Sequence, residues 1–217
     1  MPVRHIYLVR HAQREPTAGP DEFGPGLSLL GWKQAHITAQ RLAALKVDAI
    51  YTSSLRRTME TARIIAVEFP NVPIRPSALL WECIPAMPDF AVEWHKTQLN
   101  GDTSRTKIPP EVKPWVNLWM EDTSIKEIEA GFEQARQAWL KYFVPSRGKD
   151  RHDIIVCHGN IMRYFVMRAL IVPPEAWRNA DIYNCGISEI VIEGDGRIML
   201  LSHNDHGHLP SEMKTLS

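Results

Sequence analysis

Adjacent Arg10 and His11 close the apolar run Ile6-Tyr7-Leu8-Val9, and of all the residues in this chain they are the best suited to chemistry on a phosphate. A guanidinium offers a planar fork to two phosphate oxygens, and a neutral imidazole offers a nitrogen lone pair for in-line attack at phosphorus. An Arg-His dipeptide alone fits a surface turn equally well, so its meaning depends on what else reaches the same place. Three further apolar runs end on a polar group: the Ser53-Ser54-x-x-Arg57 turn, Glu82 and His158. Ligands of open α/β sheets bind beyond the carboxyl ends of the strands, so these groups can converge although they are far apart in the chain.

The elements that must position them alternate between strand and helix patterns without internal repeats. That order gives an α/β three-layer sandwich, with a mostly parallel central sheet and helices on both faces. After the first strand, a Gly- and Pro-rich stretch (Pro16 to Gly26) leads to Ser28, an N-cap for a helix reaching about Leu45. A strand at Ala49–Thr52 runs into Ser53-Ser54, read as caps of a helix that turns Arg57, Thr61, Ile64 and Ile65 toward the core. A third strand is expected around Ala78 to Trp81, ending at Glu82. Ser124-Ile125-Lys126-Glu127 is a capping box, and the helix it opens stops at Pro145. Ile154–Cys157 reads as a central parallel strand that delivers His158-Gly159-Asn160 into a helix through Met162, Phe165 and Leu170. Ile187–Ile192 and Arg197–Leu201 flank Gly194-Asp195-Gly196 as a hairpin. The chain is one domain, residues 1–217, interrupted at about 84–123 by an insertion rich in Pro and Trp. That insertion reads as a lid, a binding loop or irregular core cover.

With 25 basic and 25 acidic residues the chain carries no excess of either sign, which excludes a broad nucleic-acid surface. No stretch approaches the ~18 uninterrupted apolar residues of a membrane span, and the chain opens directly on its first strand, so neither a leader nor a membrane partner is expected. Cys83, Cys157 and Cys185 are odd in number, widely spaced and without a Cys-x-x-Cys pair, as in a reducing compartment. The location expected is cytoplasmic. His203-Asn204-Asp205-His206-Gly207-His208 has the look of a metal-ligand cluster. Cys157, beside His158, is an apolar-strand thiol expected to be inert.

Five blocks in order carry a family resemblance: Arg10-His11-Ala12-Gln13; Leu27-Ser28-x-x-Gly31-x-x-Gln34-Ala35; Ser53-Ser54-x-x-Arg57-Thr58-x-x-Thr61-Ala62; His158-Gly159-Asn160; and Asn204-Asp205-x-x-His208-Leu209. Together they resemble the landmarks of the histidine phosphatase superfamily across nearly the whole chain. Arg4-His5-Ile6, His158-x-Asn160-Ile161-x-Arg163-Tyr164 and Pro173-Pro174-Glu175-x-Trp177 resemble its branch of phosphoglycerate-mutase-like mitochondrial Ser/Thr protein phosphatases. The resemblance makes the Asn-Asp-x-x-His-Leu block a structural segment near the site, so no metal and no cofactor are expected. It departs at Ala12 and Gln13, which replace Gly-Glu, and at Thr17, which stands where many relatives place a phosphate-touching Asn. Gln13 also speaks against the mutases, whose equivalent stretch is Glu-Ser.

The resemblance implies a phosphomonoesterase working through a phosphohistidine. His11 attacks as neutral imidazole, while Arg10, Arg57 and a protonated His158 hold the phosphoryl oxygens, with Thr17 as a further contact. Glu82 protonates the leaving alkoxide and then activates water, which needs a pKa raised toward neutrality. Arg163, one helical turn after His158, is either another phosphate contact or a helix-face residue. The substrate is a phosphoprotein (Ser/Thr) or a small phosphomonoester, and self-association is left open. A mutase-type phosphotransferase and a non-catalytic phosphate-binding scaffold are the competing readings.

Overall fold

The computed structural model describes residues 1–16, 23–99, 110–111, 113 and 124–216. Four strands, β1 (Arg4–Arg10), β2 (Ala49–Thr52), β3 (Ile74–Pro76) and β4 (Arg151–Cys157), are joined by β5 (Ile187–Ile192) and β6 (Ile198–Asp205) in one sheet of order β3-β2-β4-β1-β5-β6. The first four run parallel; β5 and β6 add an antiparallel edge beside β1. Successive side chains of β1 point to opposite faces, so Ile6 and Leu8 enter one apolar core while Tyr7 and Val9 enter the other. Helices α1 (Leu29–Leu42) and α2 (Arg56–Ala66) cover the Tyr7 face. The Ile6 face is covered by α3 (Asp89–Leu99), α4 (Ile125–Tyr142) and α5 (Gly159–Ala169). A continuous apolar strand such as Ile154-Ile155-Val156 needs a cover on both sides, and here it has one.

Register decides what the strand ends bring together. Arg10 is paired with Cys157 across the β1–β4 ladder, and Thr52 with Val156 across β2–β4. His11, His158 and Ser53 therefore leave adjacent strands at one level. At the opposite end Asp153, fully buried, accepts from Arg4 Nε at 2.8 Å and from Arg151 Nε at 2.7 Å, tying the starts of β1 and β4 together.

Local signals account for the helix starts. Ser28 caps α1 by accepting from Gly31 N at 3.0 Å, and Ser124 with Glu127 forms the reciprocal capping box of α4. Gly31 has a second role, because an added Cβ would lie 2.0 Å from the Gln13 carbonyl oxygen. Only glycine lets α1 approach the loop after His11 so closely.

Three expectations need correction. The third strand is Ile74–Pro76, and Ala78–Leu80, read as strand, is a 3-10 turn capped by Ser77. Its apolar pair sits beside a Ser-Ala-Leu-Leu turn, and a short apolar run does not distinguish strand from turn. Ser53 and Ser54 do not cap α2, whose N-cap is Leu55 without a side-chain bond. Within the Pro/Trp insertion, Asp89–Leu99 is a regular helix that buries Ala91, Val92 and Trp94. Trp115 and Trp119 lie outside the described residues.

Candidate active site

His11 is 4% exposed, and its Nδ1–H donates to the Ala12 carbonyl at 2.8 Å. That bond fixes the tautomer and leaves the lone pair on Nε2, where Arg57 Nε approaches to 3.3 Å. Burial, the largest cause, and then the Arg57 charge hold the His11 pKa well below the ordinary imidazole value. Both effects favour the neutral ring.

His158 stands edge-on to His11 with ring centroids 5.2 Å apart. Its Nδ1 accepts from Arg57 Nη2 at 3.1 Å, and its Nε2 pairs with Ser53 Oγ at 2.9 Å. Burial first, then His11 and the two arginines, push its pKa well below the ordinary value. The ring is thus held neutral here, with Nδ1 facing the Arg57 guanidinium in a buried site.

Arg10 Nη1 donates to two carbonyls, Ile182 O and, at 2.7 Å, Leu216 O. Its buried Nε has no partner among the described residues, and a buried unsatisfied donor carries a free-energy penalty that an anion removes. Glu82 lies beside this pair, open to solvent on one side, with Oε1 accepting from Asn160 N at 3.2 Å. Packing around its carboxyl raises the pKa, while Arg10 and Arg57 pull it back. Two guanidiniums and one carboxyl with opposed tendencies are what can separate acid and base roles at one site.

Arg163 goes elsewhere. Its guanidinium donates to Gly159 O, Asn160 Oδ1 and, at 2.7 Å, Ala180 O, and it stacks 4.9 Å from the Trp177 ring. It braces the first turn of α5 through three of its five N–H groups, which fits the helix-face alternative of the two that the sequence left open. Thr17 lies outside the described residues. His203, His206 and His208 turn to separate partners, Ser188, Asn204 and Thr38, and among the described residues no three His, Cys, Asp or Glu groups are placed to hold a metal ion. Burial, and then Glu82, raises the Cys157 thiol far above the thiolate range.

Sequence reasoning missed several groups at this site. Ser53 is the partner of His158 Nε2, although its position at a strand end was the available signal. Thr61 Oγ1 accepts from Ala12 N at 3.1 Å, and Asn184 Nδ2 donates to the His11 carbonyl at 3.0 Å. Arg14 adds positive potential at His11 and Arg57.

A mixed sheet whose strand ends gather two imidazoles and two guanidiniums defines a phosphate-handling α/β enzyme. The chain matches the model of the histidine phosphatase superfamily (branch 1) over residues 6–206 and belongs to that superfamily. It is a phosphatase. It is 34% identical over 217 residues to the human protein named "Serine/threonine-protein phosphatase PGAM5, mitochondrial", covering 99% of this chain and 66% of that one. With the Xenopus laevis protein of that name it shares 33% over 211 residues, 96% of this chain and 68% of the other. The chain thus spans about two thirds of these relatives' length. Among solved structures, phosphoglycerate mutase from Plasmodium falciparum is similar at TM-score 0.58 and 28% identity, covering 100% and 99% of the two chains. Bacillus stearothermophilus YhfR shows the same fold at TM-score 0.68 and 21% identity, covering 94% and 98%. The cytoplasmic expectation does not stand against these names, which point to mitochondria. Reduced thiols suit more than one compartment, so cysteine usage was too coarse a signal. Among the described residues no helix is long and apolar enough to cross a membrane.

Proposed function

We propose that this phosphatase passes the phosphoryl group of phosphoserine or phosphothreonine in a protein to His11 Nε2, and then to water. The carrying observation is the His11 geometry: Nδ1 spent on the Ala12 carbonyl, Nε2 turned to Arg57 beside His158. In the first step a P–N bond forms at Nε2 as the P–O bond to the substrate breaks, and Glu82 gives its proton to the departing alkoxide. In the second, Glu82 as carboxylate takes a proton from water, whose oxygen displaces His11 and releases inorganic phosphate. Arg10 and Arg57 hold the equatorial oxygens throughout, and His158 joins them once the dianion has raised its pKa.

The names of the PGAM5 relatives support a phosphoprotein substrate. A cavity of about 580 Å³ beside Glu82, lined by Trp81, Ile84 and Ile128 among others, gives the leaving group room. The likeness to a phosphoglycerate mutase at 28% identity favours a second reading, transfer of the group to another substrate hydroxyl. Incubation with a ³²P-phosphopeptide, quenched in base, is expected to trap an acid-labile label on the wild type and none on His11→Ala. Equal turnover by His11→Ala overturns the mechanism, and phosphoglycerate isomerisation faster than phosphate release selects the mutase reading.

A further inference from the structure

The segment Ser211–Leu216, which follows β6, touches the site through three ties. Leu216 O accepts from Arg10 Nη1 at 2.7 Å. Thr215 Oγ1 donates to Asn184 Oδ1 at 2.8 Å, and Thr215 O accepts from Asn184 N at 2.8 Å. Gln34 of α1 donates to Met213 O at 2.6 Å and to Thr215 Oγ1 at 3.0 Å. Asn184 is fully buried, and its other side-chain arm, Nδ2, donates to the backbone carbonyl of His11 at 3.0 Å. Gln34, also fully buried, accepts from Gln13 N at 2.8 Å through Oε1.

We propose that this segment is a strap that presets the phosphate cradle, and that Asn184 is the positioning residue through which it holds His11. The proposal rests on His11 and Arg10 acting as described above. Both side-chain amides are read at both ends: each joins the strap to the loop carrying the nucleophile, Asn184 at His11 and Gln34 at Gln13. A primary amide oriented by one partner has its other end oriented too, so the Thr215 hydroxyl sets which way Asn184 Nδ2 points. The Leu216 carbonyl does a separate job. With Ile182 O it occupies Arg10 Nη1, which fixes the guanidinium plane and leaves the unpartnered Nε free for phosphate. The two branches act on different quantities. Arg10 binds phosphate in ground and transition states alike, so its loss of orientation weakens substrate binding. His11 must lie within a fraction of an ångström of in-line geometry, so its loss of orientation slows the chemical step.

The test is a kcat against KM split on a generic aryl phosphate. Thr215→Val is expected to lower kcat about tenfold with KM within twofold of wild type, because it removes the hydroxyl shared by Asn184 Oδ1 and Gln34 Nε2 and leaves the Leu216–Arg10 bond in place. Thr215→Ser, which keeps the hydroxyl, restores kcat. A chain ending at Lys214 loses both branches, and its KM rises about tenfold on top of the fall in kcat. Thr215→Val with unchanged kcat overturns the positioning role. A Thr215→Ser variant as slow as Thr215→Val also overturns it, since the hydroxyl is then not what matters. Full activity of His11→Ala would instead remove the mechanism beneath it, a result read independently of the strap variants.

Discussion

Replacing Gly31 by alanine is expected to slow catalysis about a hundredfold although residue 31 touches no substrate. The new Cβ would sit 2.0 Å from Gln13 O, 3.0 Å from Gln13 C and 3.2 Å from Gln13 N. Backbone atoms cannot yield as a flexible side chain does, so α1 and the loop must separate by about 1 Å to restore contact distance. Gln13 is two residues from His11, and its carbonyl and amide are committed to Ser28 N at 3.0 Å and Gln34 Oε1 at 2.8 Å. Moving it drags the turn that holds the imidazole. Overpacking of this kind costs about 1–3 kcal/mol. For a chain of this length that is a fall in Tm on the order of 2–12 °C. A displacement near 1 Å at the nucleophile costs about 10²-fold in rate. Steady-state hydrolysis of p-nitrophenyl phosphate and a thermal melt, beside Gly207→Ala as a control whose Cβ meets nothing closer than 3.4 Å, read both effects. A Gly31→Ala enzyme within twofold of wild-type kcat would show that the α1–loop contact does not set the His11 geometry.

Glu82→Gln removes the proton donor, so the rate at which His11 is phosphorylated, read as the pre-steady-state burst, is expected to fall at least about 10²-fold for a phosphoserine peptide and to be spared for a nitrophenyl ester, whose leaving group needs no proton. Equal losses on both esters would assign Glu82 to binding alone. Stability should also depend on pH through His11 and His158, whose folded pKa values are both depressed below 6.5. The unfolded chain then binds more protons, so stability is fully present above about pH 6.5 and falls as the solution is acidified. Melts between pH 7.5 and 5 should show this decline, reduced in His11→Asn; a flat profile refutes the dry, neutral imidazole pair.

Much of this was legible in the sequence where the signal is local. Ile154–Cys157 reads as a central strand because every residue is apolar, and Ser124 with Glu127 reads as a helix start because the cap lies three residues away. The edge strand Ile74–Pro76 was missed since one half-buried residue followed by two exposed ones carries no alternation. The helix at Asp89–Leu99 was hidden by the prolines around it. At the site, residue types were legible but their partners were not. Ser53 meets His158 across 105 positions and Leu216 meets Arg10 across 206, and no local pattern encodes such pairings. How dry the surroundings of His158 are was illegible for a related reason, since it depends on everything packed around the ring.

The ladder that seats the nucleophile also sets a timetable for the chain's birth. β1 leaves the ribosome first, yet its two neighbours are β4, whose Arg151 lies opposite Arg4, and β5, whose Ile192 also lies opposite Arg4. At about 5–20 residues per second, the apolar Ile6–Val9 segment waits roughly 7–30 s for β4 to be translated. Until then the nascent polypeptide holds an unpaired strand and no catalyst, so activity can appear only after β4 has been made.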